Sequence, residues 1–231
     1  MIVLHHLENS RSQRILWMLE ELGVEYRIEH YQRDPETSLA PAGLKKVHPL
    51  GKSPVLVDGD ITLAESATIL EYLARQYGGG DWAPAPDHPD YWQFHFWMHY
   101  AEASLMPPLL IKLVFSKLKG PPVPFLFRPI SGAIADQVDR TFTDRQIATH
   151  FAYVDGFLAE HQWFAGDRIT AADIQMSFPL EAALAKGTVQ RADYPHIALW
   201  VNQMHLRPAW QRALEAGGPY EFAGPEPDDQ N

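Results

Sequence analysis

Four residues between positions 48 and 73, namely Ser53, Pro54, Glu65 and Ser66, have groups suited to holding a small charged peptide. The apolar spacing after Ser66 is helical, and the free N–H groups at a helix N-terminus bind a carboxylate. The Ser66 hydroxyl adds a donor, and the Glu65 carboxylate accepts from an ammonium group. A carboxylate site beside an ammonium site predicts a receptor for an amino acid.

Pro54 opens the run Pro54-Val55-Leu56-Val57, which predicts a strand because proline is tolerated at the first residue of one. If the Ser53–Pro54 bond is cis, the Ser53 backbone turns outward and is free to pair with an extended peptide as a short added strand. The alternative interpretation is that Pro54 only starts a strand, while Glu65 or Ser66 only caps a helix. The order of these features along the chain is more specific than any one of them.

The elements that must position these residues form a small α/β layer. The predicted order is a strand at 1–6, a turn at 7–12, a helix at 14–22, a strand at 24–31, a hairpin at 54–64 with an Asp-Gly turn, and a helix ending near 77. A strand, a helix and a second strand in this order predict the opening of a βαβ unit.

The second part of the chain has helical periodicity throughout. A Gly- and Pro-rich stretch predicts a linker at 79–90 between a first domain, 1–78, and a helical domain, 91–216. Helices are expected at 91–106, with a kink or break at Pro107-Pro108, at 134–158, from about 170, and twice within 194–216. The Gly-, Pro- and Asp-rich tail, 217–231, is expected to be flexible.

The turn Gly51-Lys52-Ser53-Pro54, followed one hairpin later by Glu65-Ser66, resembles the glutathione transferase superfamily. The runs HPLGKSP, EASLMPPLLIKLVFSKLK and ADIQMSFPLEAAL look like the yeast-type (fungal) enzymes and their bacterial relatives, and the likeness extends from residue 1 to about 212. It implies an α/β plus all-α fold, in which an N-terminal thioredoxin-like domain is followed by a C-terminal helical bundle domain.

The resemblance also implies roles in holding glutathione. The residue before the cis-proline, here Ser53 before Pro54, binds the cysteinyl backbone, and the pair Glu65 and Ser66 holds the γ-glutamyl group. Lys52 and His48 are the candidates for the glycyl carboxylate.

An enzyme of this family must lower the pKa of the glutathione thiol, which is about 8.5 for a free thiol. The expected device is a donor at the N-terminus of the first helix. No tyrosine lies in the first strand, and Leu7 stands where the theta-like and delta-like enzymes carry their serine. The remaining polar candidates are Ser10, which is favoured, then Asn9, Ser12 and Arg11; Ser10 or Asn9 is also a good helix N-cap.

Two other sets of residues have weaker functional signals. The aromatic-rich helix supplies candidates for an electrophile pocket, Trp97, Tyr100 and Met106, although such residues are often core or interface contacts. Thr170 and Asp173 have the spacing of a capping box, so Asp173 is interpreted as a structural cap.

Composition narrows the classes of function. With 46% hydrophobic and 21% charged residues the chain is globular, and its net charge of −10 argues against nucleic acid and anionic membranes as partners. There is no cysteine, hence no protein thiol nucleophile, and no metal site is expected. The N-terminus does not resemble a signal peptide, so a cytoplasmic location is expected.

Three functions remain open. The first is conjugation of glutathione, as co-substrate, to small hydrophobic electrophiles. The second is reduction of peroxides or disulfides, in which two glutathione molecules supply both sulfurs. The third is a glutathione-binding scaffold without turnover, which the Leu7 departure favours and the Ser53-Pro54 and Glu65-Ser66 pairs disfavour. The resemblance also implies a homodimer.

Overall fold

The computed structural model describes residues 1–37, 39–121 and 123–224. Within these residues the N-terminal part holds a mixed sheet of four strands, β1 (Ile2–Leu7), β2 (Tyr26–Tyr31), β3 (Val55–Asp58) and β4 (Ile61–Ala64). The strand order is β2-β1-β3-β4, with β1 parallel to β2 and β3 antiparallel to β1 and β4. The predicted βαβ opening and the hairpin are therefore confirmed.

Two helices accompany the sheet, α1 (Ser12–Leu22) after β1 and α2 (Ser66–Tyr77) after β4. They contact each other, and their side chains Leu16 and Leu70 are fully buried together with Leu4 of β1 and Leu56 of β3. Helix α1 begins two residues earlier than predicted, at Ser12. The catalytic candidates 9–11 therefore lie immediately before the first turn of this helix.

The rest of the chain is helical, as predicted. The helices are α3 (Tyr91–Tyr100), α4 (Met106–Ser116), α5 (Arg128–Val138), α6 (Asp144–Glu160), α7 (Ala171–Ala185), α8 (Pro195–His205) and α9 (Pro208–Gly217). Helix α7 is buried along almost its whole length and contacts α1 and α2 as well as α3 and α8. In the described part of the chain, no helix has the length and apolar character needed to cross a membrane.

The helix is not broken at Pro107, although a break was one of the two predicted outcomes. Helix α3 continues through a π-helical turn, Ala101–Leu105, directly into α4, and the N–H of Met106 bonds to the carbonyl of Ala101. Proline lacks an N–H and is tolerated in the first turn of a helix, which is where Pro107 and Pro108 lie. Glu102 lies in this turn and contacts Arg14 of α1.

The predicted capping box at the start of α7 is confirmed. The Thr170 hydroxyl accepts from the N–H of Ala172, and the Asp173 carboxylate accepts from the N–H groups of Thr170 (2.8 Å) and Phe164 (2.9 Å). Asp173 is completely buried, so both backbone donors depend on its two oxygens.

Replacing Asp173 with alanine should therefore destabilise the fold by about 2–4 kcal/mol, because two buried N–H groups lose their acceptors. Urea unfolding with an unchanged m-value measures the loss. Asp173→Asn keeps one carbonyl acceptor, so its free energy of unfolding should fall by less than that of the alanine variant. An alanine variant within 0.5 kcal/mol of the wild type, roughly the size of a surface substitution, would show that the box contributes little.

Part of the tail that the sequence predicts to be flexible, residues 217–224, makes defined contacts with the rest of the chain. Tyr220 is buried and donates from its hydroxyl to Glu181 at 2.6 Å, and Gly217 is buried against α1. Composition alone did not predict these contacts, because Tyr220 meets its buried acceptor 39 residues away in sequence. Residues 225–231 lie outside the described residues.

Candidate active site

The Ser53 hydroxyl joins the end of β1 to the turn before β3. It donates to the carbonyl of His5 at 2.9 Å and accepts from the N–H of Leu7 at 3.1 Å. The Ser53–Pro54 peptide bond is cis, and Ser53 makes no backbone–backbone hydrogen bond to the described residues. Its side chain thus holds the β1–α1 loop beside the turn, while its main-chain groups are left to accept a partner.

Glu65 precedes α2 in an unusual backbone conformation, with φ 70° and ψ 122°. A positive φ in a residue other than glycine costs on the order of 1–3 kcal/mol and is concentrated at functional sites. The Glu65 side chain is exposed and makes no capping bond to the helix, and Ser66 is buried as the first helical residue. The interpretation of Glu65 as a simple cap is therefore wrong, and its carboxylate is directed to solvent beside the helix N-terminus.

Two cationic side chains flank the turn before Ser53. Lys52, which the sequence singled out, is exposed, and the stem of Lys45 passes so close to Gly51 that a Cβ there would lie 2.6 Å from its Cγ. Gly51 itself has φ 59°, which suits glycine. His48 is half-buried, and its Nδ1 accepts from the N–H of Leu50 at 3.4 Å. The turn thus gathers positive charge in an acidic protein, and Lys45 is a residue that the sequence interpretation missed.

The favoured catalytic candidate, Ser10, faces inward. It is 6% exposed, and its hydroxyl pairs with that of Ser12 at 2.8 Å and accepts from the N–H of Ser12. The Ser12 hydroxyl in turn contacts Nδ1 of His6 at 2.9 Å. Burial, then the neighbouring His30, lowers the pKa of His6 to about 4, so this imidazole is neutral near pH 7. These hydroxyls form an internal chain that stabilises the loop.

Asn9, by contrast, is half-buried and has a left-handed backbone with φ 48°. Its Oδ1 accepts from the backbone N–H of Glu221 at 2.8 Å, and its Nδ2 donates to Oε1 of Glu221 at 3.1 Å. These two contacts fix which end of the amide is oxygen. An amide nitrogen carries two N–H donors, so one donor of Asn9 has no partner among the described residues.

The guanidinium of Arg11 forms an ion pair with a carboxylate of the helical part. Its Nε donates to both oxygens of Glu102 at 2.9 and 3.0 Å, and the buried Arg14 donates to Glu102 from Nη2 at 2.6 Å. Burial alone would raise the pKa of Glu102, but the guanidiniums of Arg14 and Arg11 outweigh it and lower that pKa. Both guanidiniums also lie over the ring of Phe178, at 5.2 and 5.3 Å. Arg11 is thereby placed as an anchor of the loop rather than as a free cation.

Two of the predicted electrophile-pocket residues belong to the core of the helical part instead. Trp97 is completely buried, with its ring 4.7 Å from that of Phe164, and Tyr100 is 8% exposed, with its hydroxyl 2.6 Å from Nδ1 of His150. Helix α3 carries aromatic residues on every face, so sequence spacing did not show which face is internal. Met106 is half-buried at the start of α4 and stays a candidate.

No metal-binding group of three or more histidine or acidic residues is found among residues 1–37, 39–121 and 123–224. The residues around this site that the sequence did not predict, besides Lys45, are Glu102 and Glu221. Neither has a local signal, because each meets the β1–α1 loop only through the folded chain, 91 and 212 residues away in sequence.

Comparison with known proteins gives matches over both parts of the chain. Residues 1–75 match the family model "Glutathione S-transferase, N-terminal domain", and residues 124–208 match "Glutathione S-transferase, C-terminal domain". The chain is 40% identical to Glutathione S-transferase 3 of Schizosaccharomyces pombe, over 93% of this chain and 87% of that protein. It is 34% identical to Glutathione S-transferase 1 of Saccharomyces cerevisiae, over 93% and 94%.

Solved structures of glutathione S-transferases superpose on this chain. A glutathione S-transferase from Actinobacillus pleuropneumoniae superposes with a TM-score of 0.77 at 32% identity, covering 97% of this chain and all of the other. A sphingomonad glutathione S-transferase, solved in complex with glutathione, has a TM-score of 0.71 at 24% identity, covering 94% and 98%, and supports the fold alone. The sequence prediction of the family and of the fold is confirmed.

Proposed function

The chain belongs to the glutathione S-transferase family, and we propose that the Asn9 amide is the donor that activates the glutathione thiol. The chain is a transferase enzyme with glutathione as its co-substrate. The observation that carries the proposal is the geometry of the β1–α1 loop: the Ser10 hydroxyl is buried in internal hydrogen bonds, whereas Asn9 is half-buried with one N–H unpartnered among the described residues.

The chemistry follows from the position of this donor. The thiolate, not the thiol, attacks the electrophile, so the site must stabilise a negative sulfur. One N–H of Asn9 donates to that sulfur, and the positive end of α1 adds a favourable field. The thiol proton leaves to solvent, the sulfur lone pair forms the new bond to the electrophile, and a displaced group departs with the electrons of the broken bond.

We place the tripeptide along the turn and the start of α2. The main chain of Ser53, next to Pro54, pairs with the cysteinyl unit. Glu65 accepts from the γ-glutamyl ammonium, and the Ser66 hydroxyl and the α2 N-terminus bind its carboxylate. Lys52 and His48, joined by Lys45, neutralise the glycyl carboxylate. The exposed Glu65 and its strained backbone support this assignment.

Replacing Ser66 with alanine should raise the KM for glutathione about tenfold, since a hydrogen bond to a charged group is worth roughly 1.5–3 kcal/mol, with a smaller change in kcat. Steady-state rates at varied glutathione measure both constants. Thr68→Ala, on the exposed face of the same helix, is the matched control and should leave KM unchanged. Equal KM values for the Ser66 variant and this control would remove Ser66 from the site.

The overall activity is tested by the conjugation of glutathione to a halodinitrobenzene by the purified protein. We expect turnover together with retention on immobilised glutathione. Retention without any conjugate would contradict conjugation and leave the scaffold or the glutathione-dependent reductase as the function.

We further propose that the electrophile is small and hydrophobic and that the protein acts in detoxification in the cytoplasm. Its domains are 1–78 and 91–216.

The protein is also proposed to be a homodimer. Trp92 of α3 is 77% exposed and Phe96 is 43% exposed, and large apolar side chains grouped on a surface favour an interface between subunits. Sedimentation at micromolar concentration tests the dimer, and a monomer would contradict it.

A further inference from the structure

Helix α9 brings the C-terminal segment, defined here as residues 218–224, to the N-terminal end of α1. Gly217 ends the helix so close to α1 that a Cβ there would lie 2.6 Å from Oε1 of Gln13 and 2.8 Å from Cδ1 of Leu16. Gly218, with φ 80°, then turns the chain in a conformation that side chains other than glycine rarely adopt. The segment therefore lies beside the β1–α1 loop.

The C-terminal segment is fixed there by several contacts. The hydroxyl of Tyr220 donates to the buried Glu181, and the ring of Phe222 meets the edge of Phe178 with centroids 5.5 Å apart. Lys186, directly after the end of α7, forms an ion pair with Glu221. The segment is thus held independently of its contact with Asn9, so it has a defined position from which to orient that residue.

Glu221 contacts both ends of the Asn9 amide. The backbone N–H of Glu221 donates to Oδ1, and its carboxylate accepts one of the two Nδ2 donors. A carboxylate near a thiolate would oppose ionisation of the thiol, but the Lys186 ammonium paired with Glu221 offsets that charge. The pair holds the amide while adding little net charge.

We propose that Glu221 is a positioning residue, which holds the Asn9 amide with its remaining N–H directed at the glutathione sulfur and so makes the C-terminal segment part of the activating site. This inference depends on the proposed role of Asn9. A small displacement of a catalytic group is costly, since an error of 1 Å in position can lower a rate by about 100-fold.

The test compares Glu221→Ala with Glu221→Gln, which retains an oxygen acceptor for Nδ2. We expect the alanine variant to lower kcat about tenfold, an effect within the range for misplaced catalytic groups, and to raise the pH midpoint of the bound thiolate, with KM for glutathione little changed. The glutamine variant should keep most of the wild-type kcat and a thiolate midpoint near that of the wild type. Glu215→Ala, an exposed acid of α9, controls for the loss of one negative charge.

A double-mutant cycle separates this inference from the role of Asn9. In an Asn9→Gly background, Glu221→Ala should have no further effect on the thiolate midpoint. If Asn9→Gly shifts the midpoint and Glu221→Ala does not, the positioning role of Glu221 is overturned alone. If Asn9→Gly does not shift the midpoint, the proposed role of Asn9 is contradicted, and the role of Glu221 that depends on it is contradicted too. The Glu221 side chain is 57% exposed, so its truncation should leave the unfolding midpoint in place, and a large loss of stability would also count against a positioning role.

Discussion

Asn9→Gly is expected to lower kcat for conjugation about 100-fold, since loss of one preorganised donor to a developing or stabilised anion costs about 10²–10³. Glycine is the suitable replacement because Asn9 has φ 48°, a conformation in which alanine would add strain. The change therefore removes the amide and leaves the backbone where it is. A 100-fold loss corresponds to about 2.7 kcal/mol of transition-state stabilisation.

The measurement is kcat at saturating glutathione and electrophile, at a pH below the pKa of free glutathione. Raising the pH should recover part of the activity of the variant, because above its raised pKa the thiol ionises without the donor. Ser10→Ala is the matched control, since its hydroxyl bonds to Ser12 within the loop. If Asn9→Gly retains half of the wild-type rate while Ser10→Ala loses activity, the assignment of the donor is reversed.

The second large effect is expected on stability. Glu102→Ala should destabilise the protein by about 2–3 kcal/mol, less than the roughly 3–5 kcal/mol for a fully buried ion pair, because Arg14 is buried but the Glu102 side chain is 32% exposed. Arg14 is completely buried, and apart from Glu102 its polar contact to the described residues is the 2.7 Å bond from Nη1 to the carbonyl of Gln175. Loss of Glu102 leaves that guanidinium buried without a counter-charge, and Arg11 loses its anchor as well.

Urea unfolding of Glu102→Ala measures this loss, and the pH dependence provides a second readout. The pKa of Glu102 is lowered from its usual 4.5. Its contribution to stability is therefore present above about pH 4.5 and is lost as the pH falls through the folded-state pKa. Glu102→Gln should be less stable than the wild type at neutral pH but should show less of this acid-dependent loss. A glutamine variant with the wild-type acid dependence would mean that other carboxylates cause it.

Local patterns in the sequence predicted much of the fold. The Asp-Gly turn and the alternation around it indicated β3 and β4, and the spacing of Thr170 and Asp173 indicated the capping box. These features depend on residues close together in the chain. The same holds for the Ser53-Pro54 and Glu65-Ser66 pairs, which lie where the structure has a cis peptide bond and a strained helix entry.

Local patterns do not show which of Ser10, Asn9 and Arg11 has a side chain free to reach a ligand. All three are polar residues before a helix, and only the fold shows that Ser10 is buried, that Arg11 is paired with Glu102 and that Asn9 is hydrogen-bonded to Glu221. The burial of Trp97 and Tyr100, two candidates for the electrophile pocket, was not predicted for a related reason. Trp97 lies in a helix with aromatic residues on all sides, so its burial against Phe164 depends on how α3 meets its neighbours.

The most direct test of the account is the ultraviolet thiolate absorbance of bound glutathione as a function of pH. The wild type should form the thiolate well below the free thiol pKa of about 8.5. Asn9→Gly should return the midpoint toward the free value, and Ser10→Ala should keep the wild-type midpoint. A midpoint that moves with Ser10 and not with Asn9, or a wild type with no depressed midpoint, would contradict the proposed activation.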